Sequence, residues 1–375
     1  MYRMLLLVVT LMMGGQAAYA DVRIGILTPL TGAGSRYGQE QRVAIDMFLE
    51  KYSELGGAAG KLVPIIYDTR WSGTEAISVA RKLIDTDQVA VIVGPMSSSE
   101  SEVALPVANR METPIITPTA AKPGIATANR PWAFGFATTA DKLDGSLAKA
   151  WLDKHPSVKS VVIFVDAKDA VSNSECTRVF PPAFEKLGIK ILDTITFQTG
   201  DIDFSAQVTK ASGLNPDGVV LCGLYTESAH VVKEMHRQGM TQPIVAGIAV
   251  MSDRFNALAG ADANGIMSVT DFFAGDQDPT ISAWAKEYEA RFKAPPTNVG
   301  ALTYDTLYLT RECIKQRGVA GNDLAADRTA IRDCWAQLKD AKAPLTGANT
   351  VNPDGYAARK ATIVTIEGGK MVRTP

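Results

Sequence analysis

Short β-branched runs alternate with longer amphipathic stretches along most of the chain. VRIGIL, LVPIIY, VAVIVG and TPIIT are apolar runs of strand length, and residues 39–54, 74–85 and 98–110 between them carry apolar positions at helical spacing. Near residue 140 the cycle restarts. Helix 141–154 leads into the strand SVVIFV, followed by helix 175–187, strand KILDTITF, helix 203–211, strand DGVVLCG, helix 226–238 and strand PIVAG. GIMSVTDFF reads as a further strand, 280–340 as mostly helical, and KATIVTIEGG as a terminal strand or hairpin. Such alternation predicts βαβ units and parallel sheets covered by helices. The expected fold class is therefore α/β, in two lobes of similar size.

In open parallel sheets, ligands bind beyond the carboxyl ends of the strands. The loops at those ends are TPLTGAGSRYG, DTRWSGT, PMSSSE and PTAAKPG in the first half, then DAKDAVSN, LYTES, IAVMSD and DFF. They are rich in hydroxyls, small residues and single aromatics. None contains a histidine, so a Ser-His-acid triad has no base there. No Gly-x-Ser-x-Gly elbow or phosphate-binding loop is present. TGAGSRYG approaches the dinucleotide fingerprint, but its third glycine, Gly38, falls one residue late. The glycines let the backbone turn and present Tyr37. No catalytic function is expected.

The run VIVGPMSSSE ends a hydrophobic strand on Gly94-Pro95 and then shows Ser97, Ser98 and Ser99. Ser97 and Glu100 have the spacing of a helix capping box. Free amide N–H groups and hydroxyls at the same helix start also suit an anion. The two uses are compatible, because three hydroxyls exceed what one cap needs. A carboxylate held by neutral donors leaves no buried charge unpaired when it departs.

The first twenty residues stand apart. Arg3, the apolar stretch MLLLVVTLMM and the small residues of AYA form a secretory signal peptide pattern, with cleavage near Ala20. No cysteine sits at the cut, which argues against a lipid anchor. The expected location is the periplasm. The 375 residues carry a formal net charge of −2 and no basic runs, which argues against nucleic-acid binding. Export permits disulfides. Cys313 and Cys334 sit on two helical patterns joined by a short polar turn and are a candidate pair; Cys222, in an apolar run, reads as a buried thiol, and Cys176 is undecided. Neither the four cysteines nor His155, His230 and His236 have metal-site spacing, and no cofactor is expected. His230 and His236 read as surface residues.

Taken in order, several stretches resemble the branched-chain amino-acid type of periplasmic solute-binding proteins, the receptors of ABC importers. They are IGILTPLTGAGSRYGQEQRVAIDMF, Gly56-Gly57 with Lys61-Leu62 before VPIIYD, VIVGPMSSSE, PIITPTAAKP, GDIDFSAQVTK, GVVLCGLYTESAHVVKEMHRQGM and ALTYDTLYLT. The resemblance implies two Rossmann-like lobes, each a parallel sheet flanked by helices. A three-segment hinge would join them and let them close on a ligand like a flytrap. It places lobe one at 21–139 plus 272–346 and lobe two at 140–271 plus 347–375. It implies a monomer that hands a small ligand to the inner-membrane permease and catalyses nothing.

Carried over residue by residue, Ser97 falls where the family holds the ligand carboxylate, with Ser98 beside it, and Thr119 and Ala120 fall in the second contact loop. Tyr37 falls where an aromatic lines the cleft, and Tyr225 beside the lobe-two contact at Leu224 or Tyr225. Two positions depart from the family's amino-acid receptors. Ala121 stands where a hydroxyl helps hold the ligand amine, and Ile248 where an acid pairs it. An ammonium buried without an anion would cost several kcal/mol. The expected ligand is therefore a hydrophobic or aromatic carboxylate, with Trp71, Tyr37, Tyr225 and Phe272 as candidate ring contacts. Asp166, Glu227, Asp253 and Asp271 are the acids that could substitute. A receptor for branched-chain or other hydrophobic amino acids, and a soluble ligand sensor of the same fold, are the alternatives.

Overall fold

Apolar runs without alternation end up where both faces of a sheet are covered. In the computed structural model, which describes residues 20–56, 59–359 and 361–374, the first such run is β1 (Ala20–Thr28). It is followed by α1 (Ser35–Tyr52), β2 (Ala59–Asp68), α2 (Gly73–Asp85), β3 (Val91–Val93), α3 (Ser98–Arg110), β4 (Ile115–Thr117) and β5 (Ala133–Gly135). The five strands form one parallel sheet in the order β2-β1-β3-β4-β5. The leader expected over residues 1–20 lies, but for Ala20, outside the described residues.

The second half builds the same unit again. It comprises α4 (Ala140–Lys154), β6 (Ser160–Asp166), α5 (Ala170–Ser174), α6 (Phe180–Lys186), β7 (Lys190–Phe197), α7 (Ser205–Gly213), β8 (Gly218–Cys222), α8 (Tyr225–Arg237), β9 (Ile244–Ala246), α9 (Asp253–Ala259) and β10 (Met267–Thr270). Its parallel strands run β7-β6-β8-β9-β10, which repeats the order of the first sheet. Both sheets therefore reverse direction beside their first strand, at β1/β3 and β6/β8. A ligand crevice is expected at such switch points.

The chain then passes through α10 (Pro279–Phe292), α11 (Asn298–Gln316) and α12 (Leu324–Ala336), and a small antiparallel sheet of β11 (Ala341–Ala343), β12 (Gly347–Val351) and β13 (Ala357–Ala358). Val351 and Ala357 pack in the same core cluster as β1, α1 and α11. The closing hairpin, β14 (Thr362–Glu367) and β15 (Lys370–Arg373), instead extends the second sheet beside β10.

Each sheet is covered on both faces. In β6, Val162 and Phe164 join one cluster with α7 and α8, while Val161, Ile163 and Val165 join another with α4 and α6. Burying each such side chain contributes roughly 1.5–3 kcal/mol. The helix expected over 175–187 starts earlier and is broken: α5 runs into a π-helical turn at Glu175–Val179 before α6. Pro181 and Pro182 lack the N–H groups that a continuous α-helix would need there. Cys313 and Cys334 form a disulfide tying α11 to α12, with 5.6 Å between their Cα atoms. The free-thiol expectation for Cys222 is corrected: it is buried, but its sulfur is bonded to Cys176. His236 is half-exposed on α8 and pairs with Asp262 at 2.8 Å, and His230 is partly covered against the Phe204 ring. No helix among the described residues is long and apolar enough to cross a membrane.

Candidate functional site

The carboxyl ends of the two sheets face one another, and a cavity of about 50 Å³ lies between them. The first lobe lines it with Tyr37, Trp71, Met96, Ser97, Ser98, Thr119, Asn298 and Val299. The second lobe contributes Asp169, Val171, Leu224, Ile248, Ala249 and Met251. Most of these residues follow a strand directly. Met96 to Ser98 follow β3, Asp169 follows β6 and Leu224 follows β8, so the two switch points supply the centre of the site.

Gly94 makes the turn out of β3 possible. Its φ is +115°, and a Cβ there would lie 2.3 Å from the Leu27 carbonyl oxygen. Beyond it each of the three serines has a different partner. The Ser97 hydroxyl donates to Glu100 Oε2 at 2.6 Å and accepts from the Glu100 N–H at 3.1 Å, while the same carboxylate accepts from the Ser97 N–H. This is the capping box read from the sequence, and it engages the hydroxyl of Ser97 fully. Burial pushes the Glu100 carboxyl above its usual range, against the pull of the Ser97 hydroxyl. Ser98 Oγ accepts from the Lys122 N–H at 3.1 Å, and Ser99 Oγ accepts from the Ala170 N–H of the other lobe at 2.9 Å. Both are acceptors there, so both retain an O–H to donate. Thr119 donates to the Met96 carbonyl at 2.8 Å and holds the two loops together. The first-turn N–H groups of α3 have no acceptor within the helix. Ser98, with these amides, is the group best placed to receive an anion.

The opposite wall is apolar and aromatic. Tyr37 stacks on Trp71 with centroids 5.8 Å apart and meets Tyr225 edge-on at 5.0 Å. Trp71 sits at φ +56° and lies flat on Gly34, where a Cβ would fall 1.8 Å from its ring. Of the expected site residues, Tyr37, Trp71, Ser97, Ser98, Thr119 and Ile248 line the cavity. Three others do not. Tyr225 stands behind Tyr37, Ala120 is buried with its N–H donated to Thr117 Oγ1 at 3.2 Å, and Phe272 packs edge-on against Trp284 in the first-lobe core.

The acids considered from the sequence are all engaged elsewhere. Asp166 accepts from the N–H groups of Lys168, Asp169 and Thr199 and from the Thr199 hydroxyl. Glu227 accepts from the Gly200 N–H at 2.8 Å, Asp253 pairs with Arg36, and Asp271 pairs with Arg359 at 3.0 Å. The acid in the cavity is Asp169, which the sequence reading passed over. Its Oδ2 accepts from the Ser172 N–H at 3.0 Å and hydroxyl at 2.8 Å, which caps α5. Its Oδ1 is buried with no partner among the described residues. Burial pushes its carboxyl up to about 6. The signal in the sequence was the pair of aspartates at 166 and 169 in one strand-end loop. One holds the loop, and the other is left over.

Contacts across the cleft hold the lobes together. Tyr37 Oη donates to the Ala249 carbonyl at 2.6 Å, and Tyr225 Oη donates to the Ala33 carbonyl at 3.1 Å. Arg36 Nε donates to Asp253 Oδ1 at 3.1 Å. These contacts bridge the two lobes beside the cavity. No cluster of metal-ligating side chains occurs among the described residues.

Comparison with known proteins gives a consistent result. A family model described as "Periplasmic binding protein" matches residues 21–370. "Leu/Ile/Val-binding protein homolog 3" of Brucella melitensis is 27% identical over 327 residues, covering 84% of each chain. Among solved structures, the leucine-binding protein of Thermotoga maritima superposes with a TM-score of 0.85 at 24% identity, covering 94% of this chain and 98% of that one. An ABC transporter solute-binding protein of R. palustris in complex with benzoate superposes with a TM-score of 0.83 at 19% identity, covering 94% and 95%. At these identities the two structures show the likeness of fold.

Proposed function

Because the chain belongs to the periplasmic binding protein family, we propose that it is the exported receptor of an ABC importer for a small carboxylate with a hydrophobic or aromatic body. The observation that carries this reading is the pairing of two kinds of surface around one cavity between the lobes. The start of α3, with the free O–H of Ser98 and the N–H groups of Ser98 and Ser99, shares the cavity with an apolar wall of Tyr37, Trp71, Leu224, Ile248 and Val299. Neutral donors and the helix dipole suit a carboxylate, and the wall suits an apolar body. The Brucella relative named for leucine, isoleucine and valine supports a ligand of this size and polarity. The benzoate complex shows that the same fold accommodates a carboxylate without an amine.

Transport then rests on closure. The open form takes up the ligand between the lobes. The closed form, held by the contacts of Tyr37, Tyr225 and Arg36, is what docks on the permease. The lobe boundaries that suit this motion are near 137–140, 271 and the end of β13, between elements of the two sheets. The mature protein, unfolded and refolded to strip carried-over ligand, tests the reading in a thermal-shift screen of hydrophobic and aromatic carboxylates. A ligand at a hundred times its Kd adds about 2.7 kcal/mol. A panel that leaves the melting temperature unmoved for every carboxylate sinks the proposal.

A further inference from the structure

We propose that Asp169 supplies the counter-charge for a ligand ammonium, so that the site is built for a zwitterion even though Ile248 occupies the position where the family's amino-acid receptors carry their acid. The inference rests on the carboxylate reading of α3 and adds the second pole of the ligand.

Three observations converge on Asp169. It lines the cavity on the lobe opposite Ser97, Ser98 and Thr119, at the switch point of the second sheet. It is 2% exposed, with Oδ2 fixed by Ser172 and Oδ1 unpartnered among the described residues. A buried carboxylate oxygen left without a donor is costly, and its position at the cavity wall makes the ligand the natural source of that donor. Charge identifies the kind of donor. Among the described residues Asp169 forms no ion pair with Lys, Arg or His, and the charged groups that act on its carboxyl, Asp166 and Glu227, are also acids. Arg36, on the far side of Tyr37, is already neutralised by Asp253. The local excess is therefore negative, and the group that compensates it is a cation rather than a neutral hydroxyl. The carboxylate pole has the reverse character: it offers amides and the Ser98 O–H, and its one acid, Glu100, is tied into the capping box with Ser97 and pushed toward its neutral form by burial. A ligand carrying both a carboxylate and an ammonium completes both ends.

The counter-charge has thus moved from the loop after β9 to the loop after β6. Asp169 is a specificity-determining residue: it decides between an amino acid and its amine-free twin of the same shape.

The test compares matched pairs on the refolded wild-type protein by calorimetry: leucine against 4-methylpentanoate, and phenylalanine against 3-phenylpropanoate. The amino acid of at least one pair is expected to bind at least about tenfold more tightly, the range of a hydrogen bond to a charged group. In Asp169→Asn that preference is expected to vanish or invert, while the amide oxygen keeps the cap on α5. Equal or tighter binding of the amine-free twin by wild type overturns the proposal and leaves the carboxylate reading standing. Unchanged amino-acid affinity in Asp169→Asn overturns it as well. Binding of neither member of any pair removes the carboxylate reading and the proposal with it. The wild-type comparison requires no variant, so it decides the matter even where Asp169→Asn does not fold.

Discussion

The carboxylate of Asp271 and the guanidinium of Arg359 meet at 3.0 Å with side chains 2% and 5% exposed, at the place where the chain passes between the two sheets. Asp271 follows β10, and Arg359 follows β13. The same Asp271 oxygen accepts from the N–H of Thr138, which lies between β5 and α4. One carboxylate thus ties all three passages together. Arg359 also donates to Asn349 Oδ1 at 2.9 Å and lies 4.1 Å over the Phe136 ring. Removing one partner of a buried pair leaves the other uncompensated, at about 3–5 kcal/mol. Asp271→Ala is therefore expected to lower the denaturation midpoint strongly. Asp271→Ala combined with Arg359→Met is expected to cost less than the two single changes added together. Additive losses in urea unfolding would show that the pair is not coupled.

Tyr37 and Tyr225 form a reciprocal latch. Each comes from one lobe, each donates its hydroxyl to a carbonyl on the other, and their rings touch edge-on. Tyr37→Phe and Tyr225→Phe keep the ring contact and delete one hydrogen bond each, a net of about 0.5–1.5 kcal/mol. Ligand affinity is expected to fall about 2- to 12-fold per change, because closure is part of binding. The fold should be unaffected. Small-angle scattering of the ligand-free variants should show a larger mean radius than wild type. Unchanged affinity in both variants would mean that the hydroxyls are dispensable for closure.

The serine loop separates stability from binding. Ser97→Ala removes the hydroxyl half of the capping box and leaves the buried Glu100 carboxyl with only the residue-97 N–H as donor, so it is expected to destabilise the protein by about 1–2 kcal/mol. Ser98→Ala removes an O–H that faces the cavity and leaves the box intact. It is expected to weaken ligand binding by about 1.5–3 kcal/mol, the range for a bond to a charged group, with a smaller loss of melting temperature than Ser97→Ala, from the Lys122 N–H that loses its acceptor. The reverse assignment, with affinity lost at Ser97 and stability at Ser98, would place the carboxylate on the wrong hydroxyl.

Strand-and-helix order was legible because both sheets are buried on two faces, which leaves continuous β-branched runs such as SVVIFV and GVVLC in the sequence. What stayed hidden was short or non-periodic. AFG at β5 and the strands β11 to β13 are too brief for a two-residue period to register. β12 and β13 pair with each other, and Val351 and Ala357 pack in the core cluster of β1, α1 and α11. Ser97 and Glu100 were readable from their spacing. Asp169 was not, because a strand-end aspartate usually caps the next helix, and this one does so with one oxygen only. Phe272 looked like a ring contact because it ends a strand, and only the position of Trp284 shows that it points into the core.

Buried acids set the pH response of stability. Glu40 lies on α1 with one oxygen bonded to the Thr297 hydroxyl and the other without a partner among the described residues. Burial pushes its carboxyl up to about 8. The facing charges, Arg36 and Asp253, form a pair of opposite sign and offset one another. Glu175 and Asp144, both fully buried in the second lobe, are likewise pushed up by burial. In the unfolded chain these groups titrate near 4.3 or below. Between that value and about 8 the native state binds more protons than the unfolded state, so stability falls as pH rises. The slope is at most about 1.4 kcal/mol per pH unit for each group. The melting temperature is expected to be higher at pH 5 than at pH 8. Glu40→Gln, which stays neutral throughout, should match wild type near pH 5 and exceed it at pH 8. A variant that loses stability equally at both values would show that the Glu40 carboxyl is charged in the native protein.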